Sequence, residues 1–115
     1  MVTIPVTLKT GLDIGGAVHV AAEIREATAA DLIDATEESE KLVQIPDSGP
    51  ALVVSPTMVG LNTLRRQVVK IGAHPGPLTL AELRLMTATD LSLLQEKAMT
   101  LESAALKGAA DRGER

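Results

Sequence analysis

Two periodicities divide this chain near residue 28. Before it, apolar and polar residues alternate. Val2-Thr3-Ile4-Pro5-Val6-Thr7-Leu8-Lys9 steps with period two, and Ala17–Arg25 does so again, placing Val18, Val20, Ala22 and Ile24 on one face. Period two marks a strand with one buried face. Pro5 has no N–H to give to a ladder, which puts the first strand on a sheet edge or starts its pairing after the proline. Gly11 and Gly15-Gly16 supply turn or bulge geometry between the two runs. The pattern predicts a β-hairpin with its tip near Ile14-Gly15-Gly16. A lone hairpin is marginal in water, so it must pack on the helical part of the chain.

After residue 28 the spacing becomes helical, and the helix starts are written as caps. Thr28-Ala29-Ala30-Asp31, Thr79-Leu80-Ala81-Glu82 and Thr87-Ala88-Thr89-Asp90 each read as a capping box, and Ser55-Pro56 reads as a cap followed by a first-turn proline. Four helices are expected, over residues 29–43, 56–71, 80–85 and 88–106. The first carries a weak stripe of Leu32, Ala35 or Thr36, Ser39 and Leu42, with Glu37, Glu38 and Glu40 facing water. The second carries Leu61, Leu64, Val68 and Ile71, and Gly72 stands where a C-terminal glycine belongs. The last turns Leu91, Leu94, Ala98, Leu101 and Ala105 inward. Asp47-Ser48-Gly49-Pro50 signals a turn, and Leu52-Val53-Val54 is compatible with a short third strand. Gly60 sits inside the second helix at a cost of roughly 1 kcal/mol relative to Ala, which close approach of another backbone would explain. The fold class is α+β: an N-terminal β-hairpin packed on a small bundle of about four helices. One compact domain is expected over residues 1–107, with a flexible charged tail over 108–115. A compact chain of this length has a radius of gyration of roughly 13 Å.

Composition narrows the chemistry. The 115 residues include no Phe, Tyr, Trp or Cys, so the core is aliphatic, and no disulfide, thiolate or Cys-based metal site exists. The net charge of -4 argues against nucleic acid, which wants a basic stripe. Arg65-Arg66 with Lys70 is the local exception and reads as a solvated helix face. The N-terminus lacks the basic and apolar regions of a signal peptide, and no apolar run approaches the roughly 18 residues of a membrane span. A cytoplasmic protein is expected. His19 and His74 are too few for a metal centre. Asp34, Glu37, Glu38 and Glu40 read as a solvated acidic face rather than as converging catalytic carboxylates. Gly15-Gly16 lacks the rest of a phosphate loop. The Ser and Thr residues are spent at caps, and no nucleophile pairs with a base. The expectation is a protein without enzymatic activity, cofactor or metal. The last helix carries one further signal: Leu93, Met99 and Leu106 lie off its main stripe, as residues buried on a second side or presented to a partner do.

Three stretches carry a family resemblance: the hairpin running into Ile24-Arg25-Glu26-Ala27-Thr28-Ala29-Ala30-Asp31-Leu32; Leu64-Arg65-Arg66-Gln67-Val68-Val69-Lys70-Ile71-Gly72; and Leu78-Thr79-Leu80-Ala81-Glu82-Leu83 with Ala88-Thr89-Asp90-Leu91-Ser92-Leu93-Leu94-Gln95. In this order they resemble the Mu-like phage tail assembly chaperones. The resemblance implies a non-enzymatic helper in the host cytoplasm that binds the tape measure protein, assists tail tube assembly and is absent from the mature virion. It leaves room for contact with the tail tube protein and for a homo-oligomer, and it gives no role to nucleic acid or membrane. The same residues also fit a structural tail component, a connector or completion subunit that stays in the virion. A transcriptional regulator would need a basic recognition helix, which Arg65-Arg66 on an apolar helix supports poorly. On the chaperone reading, Leu93, Met99 and Leu106 are the candidate partner-binding residues.

Overall fold

The computed structural model describes residues 2–111. The N-terminal hairpin forms as the alternation predicts. β1 (Thr3–Ile14) pairs antiparallel with β2 (Ala17–Arg25) around a Gly15-Gly16 turn. β1 holds the edge of a four-stranded sheet, where Pro5 costs no ladder bond. The hairpin is not regular. Thr7 faces Ala21 and Leu12 faces His19, so β1 advances five residues while β2 advances two. The surplus at Lys9, Thr10 and Gly11 is a wide bulge. Gly11 sits there at φ 89°, and a Cβ on it would lie 2.7 Å from the Val18 side chain and 2.9 Å from the His19 carbonyl oxygen. Only glycine fits both the left-handed backbone and the space.

α1 covers Ala29–Glu38, shorter than the 29–43 that the spacing predicts. Ser39 ends it: its hydroxyl donates to the Ala35 carbonyl oxygen at 2.6 Å and accepts from Asn62 Nδ2 at 3.0 Å, and the residue leaves helical geometry. The chain then enters a second hairpin, β3 (Glu40–Ile45) with β4 (Gly49–Val54), turned by Asp47 and Gly49 at positive φ. The turn signal and the Leu52-Val53-Val54 strand are thus present, but Leu42 belongs to a strand and not to a helical stripe. α2 covers Pro56–Gln67, capped by the Ser55 hydroxyl. The expected continuation to residue 71 is instead β5 (Val68–Ile71), which fills the open edge of β2, followed by the short β6 (His74–Pro75). Val68, Val69 and Ile71 are β-branched, and the pairing slot beside β2 decides in favour of strand. Gly72 then serves a strand turn, at φ 57°, not a helix end.

α3 (Leu80–Arg84) and α4 (Ala88–Asp111) complete the fold. α4 runs past the predicted end at residue 106. Of the tail expected at 108–115, residues 112–115 lie outside the described residues. The observed class is α+β, with the N-terminal hairpin and four helices. One face of the four-stranded sheet presents Val6, Leu8, Leu12, Ala22, Ile24 and Ile71 to an aliphatic core closed by Leu64, Leu78, Leu83, Leu94 and Leu101 from the helical half. The radius of gyration is 16.5 Å, wider than a sphere-like chain of this length, and the second hairpin forms a separate two-stranded sheet.

The caps are tested by their bonds. At Thr28 and Thr79 both halves of the box are made. Thr79→Ala is expected to lower stability by about 1 kcal/mol, read from the midpoint of urea unfolding. The third box is only half made. Asp90 N–H donates to the Thr87 hydroxyl at 3.2 Å, but the Asp90 carboxylate does not return to Thr87. It crosses to the β1 bulge and accepts from the backbone N–H of Lys9 at 2.7 Å, Thr10 at 3.1 Å and Gly11 at 2.9 Å. Asp90 is fully buried. Burial pushes its carboxyl up, yet the N–H groups of Lys9, Gly11 and Thr10 hold it below the usual carboxylate range.

Candidate partner-binding surface

The basic pair proves structural. Arg65 donates to the Leu78 carbonyl oxygen at 3.0 Å and to Asn62 Oδ1 at 3.1 Å, and its guanidinium also bonds Glu38. Arg66 Nη2 meets the other Glu38 oxygen at 2.6 Å. Arg65 and Arg66 are therefore not a solvated face, and Glu38 does not simply face water; the hydrogen bonds from Arg65 and then Arg66 hold its carboxyl below the ordinary range. Together with the Ser39–Asn62 bond they clamp the end of α1 to α2. A second clamp works at the other end. Arg25 holds Asp31 through two bonds of 2.6 and 3.1 Å and also donates to the Arg66 carbonyl oxygen. The Arg25 hydrogen bond, against the opposing effect of burial and with help from Thr28, lowers the Asp31 pKa to about 2. Because the folded-state value lies below that of the unfolded chain, this ion pair stabilises the fold above about pH 4 and fades as pH falls toward about 2. Melting temperatures followed from pH 5 to 2 are expected to fall less steeply in Asp31→Asn than in the parent.

These clamps fix α1 and α2 as one wall of an open trough of about 810 Å3 whose other wall is α4. α2 contributes Pro56, Val59, Gly60 and Thr63, and α4 contributes Gln95, Ala98, Met99 and Glu102. Each set follows the i, i+3, i+4, i+7 spacing of one helical face. Leu32 of α1 and Glu26 stand at the edge. The lining is mostly apolar.

The three candidate residues of the last helix separate. Met99 lines the trough and is 68% exposed. Leu106 is equally exposed and lines a second, smaller depression with Val2 and Leu101. Leu93 does not join them: it is half-buried and packs against the core. The β3–β4 hairpin adds an apolar surface that the predicted helix concealed. Leu42 and Leu52 face each other across its ladder at 70% and 67% exposure, and Val53 and Val54 are also exposed.

No metal centre forms among the described residues. His74 Nε2 lies 3.0 Å from Glu82, the carboxylate that caps α3, while His19 lies beside Gly72 on the sheet. Every buried side-chain polar atom among the described residues has a hydrogen-bond partner, so none is left aimed at a ligand. No described helix is long and apolar enough to cross a membrane. The arrangement offers apolar contact area.

The tail assembly protein gp41 family matches residues 8–114. The chain is 36% identical over 106 residues to the Mu-like prophage FluMu protein gp41 of Haemophilus influenzae, a stretch covering 92% of this chain and 84% of that one. It is 45% identical over 71 residues to the probable tail assembly protein gp41 of Escherichia phage Mu, covering 62% of this chain and 49% of the relative. The probable tail assembly protein FS-gp41 of the same phage matches equally over 71 residues, which make up 37% of its length. No solved structure matches the chain.

Proposed function

The chain belongs to the tail assembly protein gp41 family, and on that premise we propose that it is a non-enzymatic tail assembly chaperone that binds the tape measure protein. Its work is done in the host cytoplasm, and it leaves before the virion is complete. The observation that carries this reading is the amount of apolar surface left uncovered beside a complete core. Met99, Leu106, Leu42 and Leu52 are all more than half exposed, although the fold buries an aliphatic core that includes Leu8, Leu12, Ile24, Ile71, Leu78 and Leu94. Exposed apolar patches on a small domain mark surfaces for partners. A tape measure protein is a long helical chain whose apolar stripes need cover during assembly, and a surface with a flexible Met suits repeated, tolerant contact. The acidic balance keeps such a complex soluble.

The test is co-expression with the tape measure protein of the same phage or prophage, followed by affinity capture and by mass spectrometry of purified particles. The expected result is co-purification of the two proteins and absence of this chain from particles. Recovery from particles at a fixed ratio to the tail tube protein would instead identify a structural tail component.

A further inference from the structure

Gly60 is a residue whose place in this fold the chain's own packing does not explain. It lies inside α2, its backbone is not left-handed, and beyond its chain neighbours and its own stretch of helix backbone no atom of the described residues comes within 4 Å of the place its Cβ would occupy. A glycine there weakens the helix relative to alanine. The close approach that would require it is not made among the described residues, yet the vacant position opens into the trough between α2 and α4.

We propose that this trough is the docking groove for one amphipathic helix of the tape measure protein, and that the helix carries basic residues beside its apolar stripe. The proposal rests on the chaperone reading above and locates its contact. Three features define the occupant. The walls are two helical faces with matching spacing, and the space between them is open along its length, which suits a third helix laid against both. Small residues on both walls, Gly60 and Ala98, let a partner backbone come close, while Met99 adapts to the side chains that it brings. The charge is one-sided: Glu26 and Glu102 line the rim, both exposed, and among the described residues no Lys or Arg lines it. Such a rim favours a cationic partner, steers its approach and disfavours an acidic one.

The experiment titrates the full chain with overlapping synthetic peptides that tile the tape measure protein, and compares wild type with Gly60→Ala, Gly60→Leu and the double variant Glu26→Lys with Glu102→Lys. Wild type should bind best those peptides in which Lys or Arg flanks a helical apolar stripe, with affinity that falls as salt is added. Gly60→Ala and Gly60→Leu should melt at or above the wild-type temperature, because both residues favour helix and the space is empty. Gly60→Leu should nonetheless bind about tenfold or more weakly. Reversing the rim charge should shift preference away from the basic peptides. Peptides that bind Gly60→Leu within about twofold of wild type would overturn the groove while leaving the chaperone reading intact. Binding of acidic peptides in preference to basic ones would overturn it too, as would a wild-type dimer that Gly60→Leu converts to monomer, since a second copy would then fill the groove. If no peptide binds the wild-type chain, the chaperone reading fails and the groove with it.

Discussion

Asp90→Ala is expected to destabilise the protein by about 3–5 kcal/mol, one of the largest losses available to a single change in this fold. Asp90 is fully buried, and its carboxylate satisfies three consecutive backbone N–H groups of the β1 bulge. Alanine leaves those donors without their acceptor at a partly buried site, and each orphaned buried donor costs about 1–3 kcal/mol. The loss would consume a large share of a typical domain's stability of about 5–15 kcal/mol. Asp90→Asn keeps the shape and one acceptor oxygen but loses the charge, and should fall between alanine and wild type. Urea unfolding gives the magnitude. The bulge would also open, so the amides of Lys9, Thr10 and Gly11 should exchange hydrogen faster than their neighbours on β2. The acid side carries a second signature. The folded-state pKa of Asp90 is depressed, so its contribution is present above the ordinary carboxylate range and is lost as pH falls below it; the alanine variant should lack that part of the acid transition.

A second large effect separates the faces of α4. Leu94→Ala is expected to cost about 3–5 kcal/mol, since Leu94 is 1% exposed at the centre of the aliphatic core. Met99→Ala, five residues along the same helix, should change stability by no more than about 0.5 kcal/mol, because its side chain meets solvent. Leu93→Ala should lie between the two, as befits a half-buried residue packed on the core. Paired urea titrations check the order, and a Met99 variant as damaging as Leu94 would reverse the orientation assigned to this helix.

What can be read from the sequence is local. The Thr28 and Thr79 boxes join residues three apart, and the first hairpin follows from alternation and a glycine turn, so no distant part of the chain is needed to foresee them. Two segments read as helix and fold as strand, for one reason. Leu42 follows Ser39 and Ala35, and Val68 and Ile71 follow Leu61 and Leu64, at spacings that suit a helix. Short apolar runs fit either period, and the decision is made elsewhere: by the Ser39–Asn62 bond that stops α1, and by the free edge of β2 that recruits β5. The destination of the Asp90 carboxylate is equally illegible, because a bulge 80 residues away supplies its partners. The grouping of Leu93 with Met99 and Leu106 is one that helical geometry already opposes. At about 100° per residue, Leu93 lies about 120° around the helix from Met99, while Met99 and Leu106 are nearly superposed. The trough itself leaves one trace in the sequence, the glycine inside α2. Its significance appears only once three-dimensional packing shows that none of the described residues fills the space.

The contact between the β1 bulge and Asp90 also sets an order of events at the ribosome. Gly11 and Asp90 are 79 residues apart. At a synthesis rate of about 5–20 residues per second, roughly 4–16 s separate the appearance of the bulge from that of the carboxylate that completes it. During that interval the first hairpin has a turn and a ladder, but its bulge amides are bonded to water and its core face has no α4 to cover it. The N-terminal strand is thus finished last, by the C-terminal helix, and a nascent chain stalled before Asp90 would present an open sheet edge and an uncovered apolar face to its neighbours on a polysome.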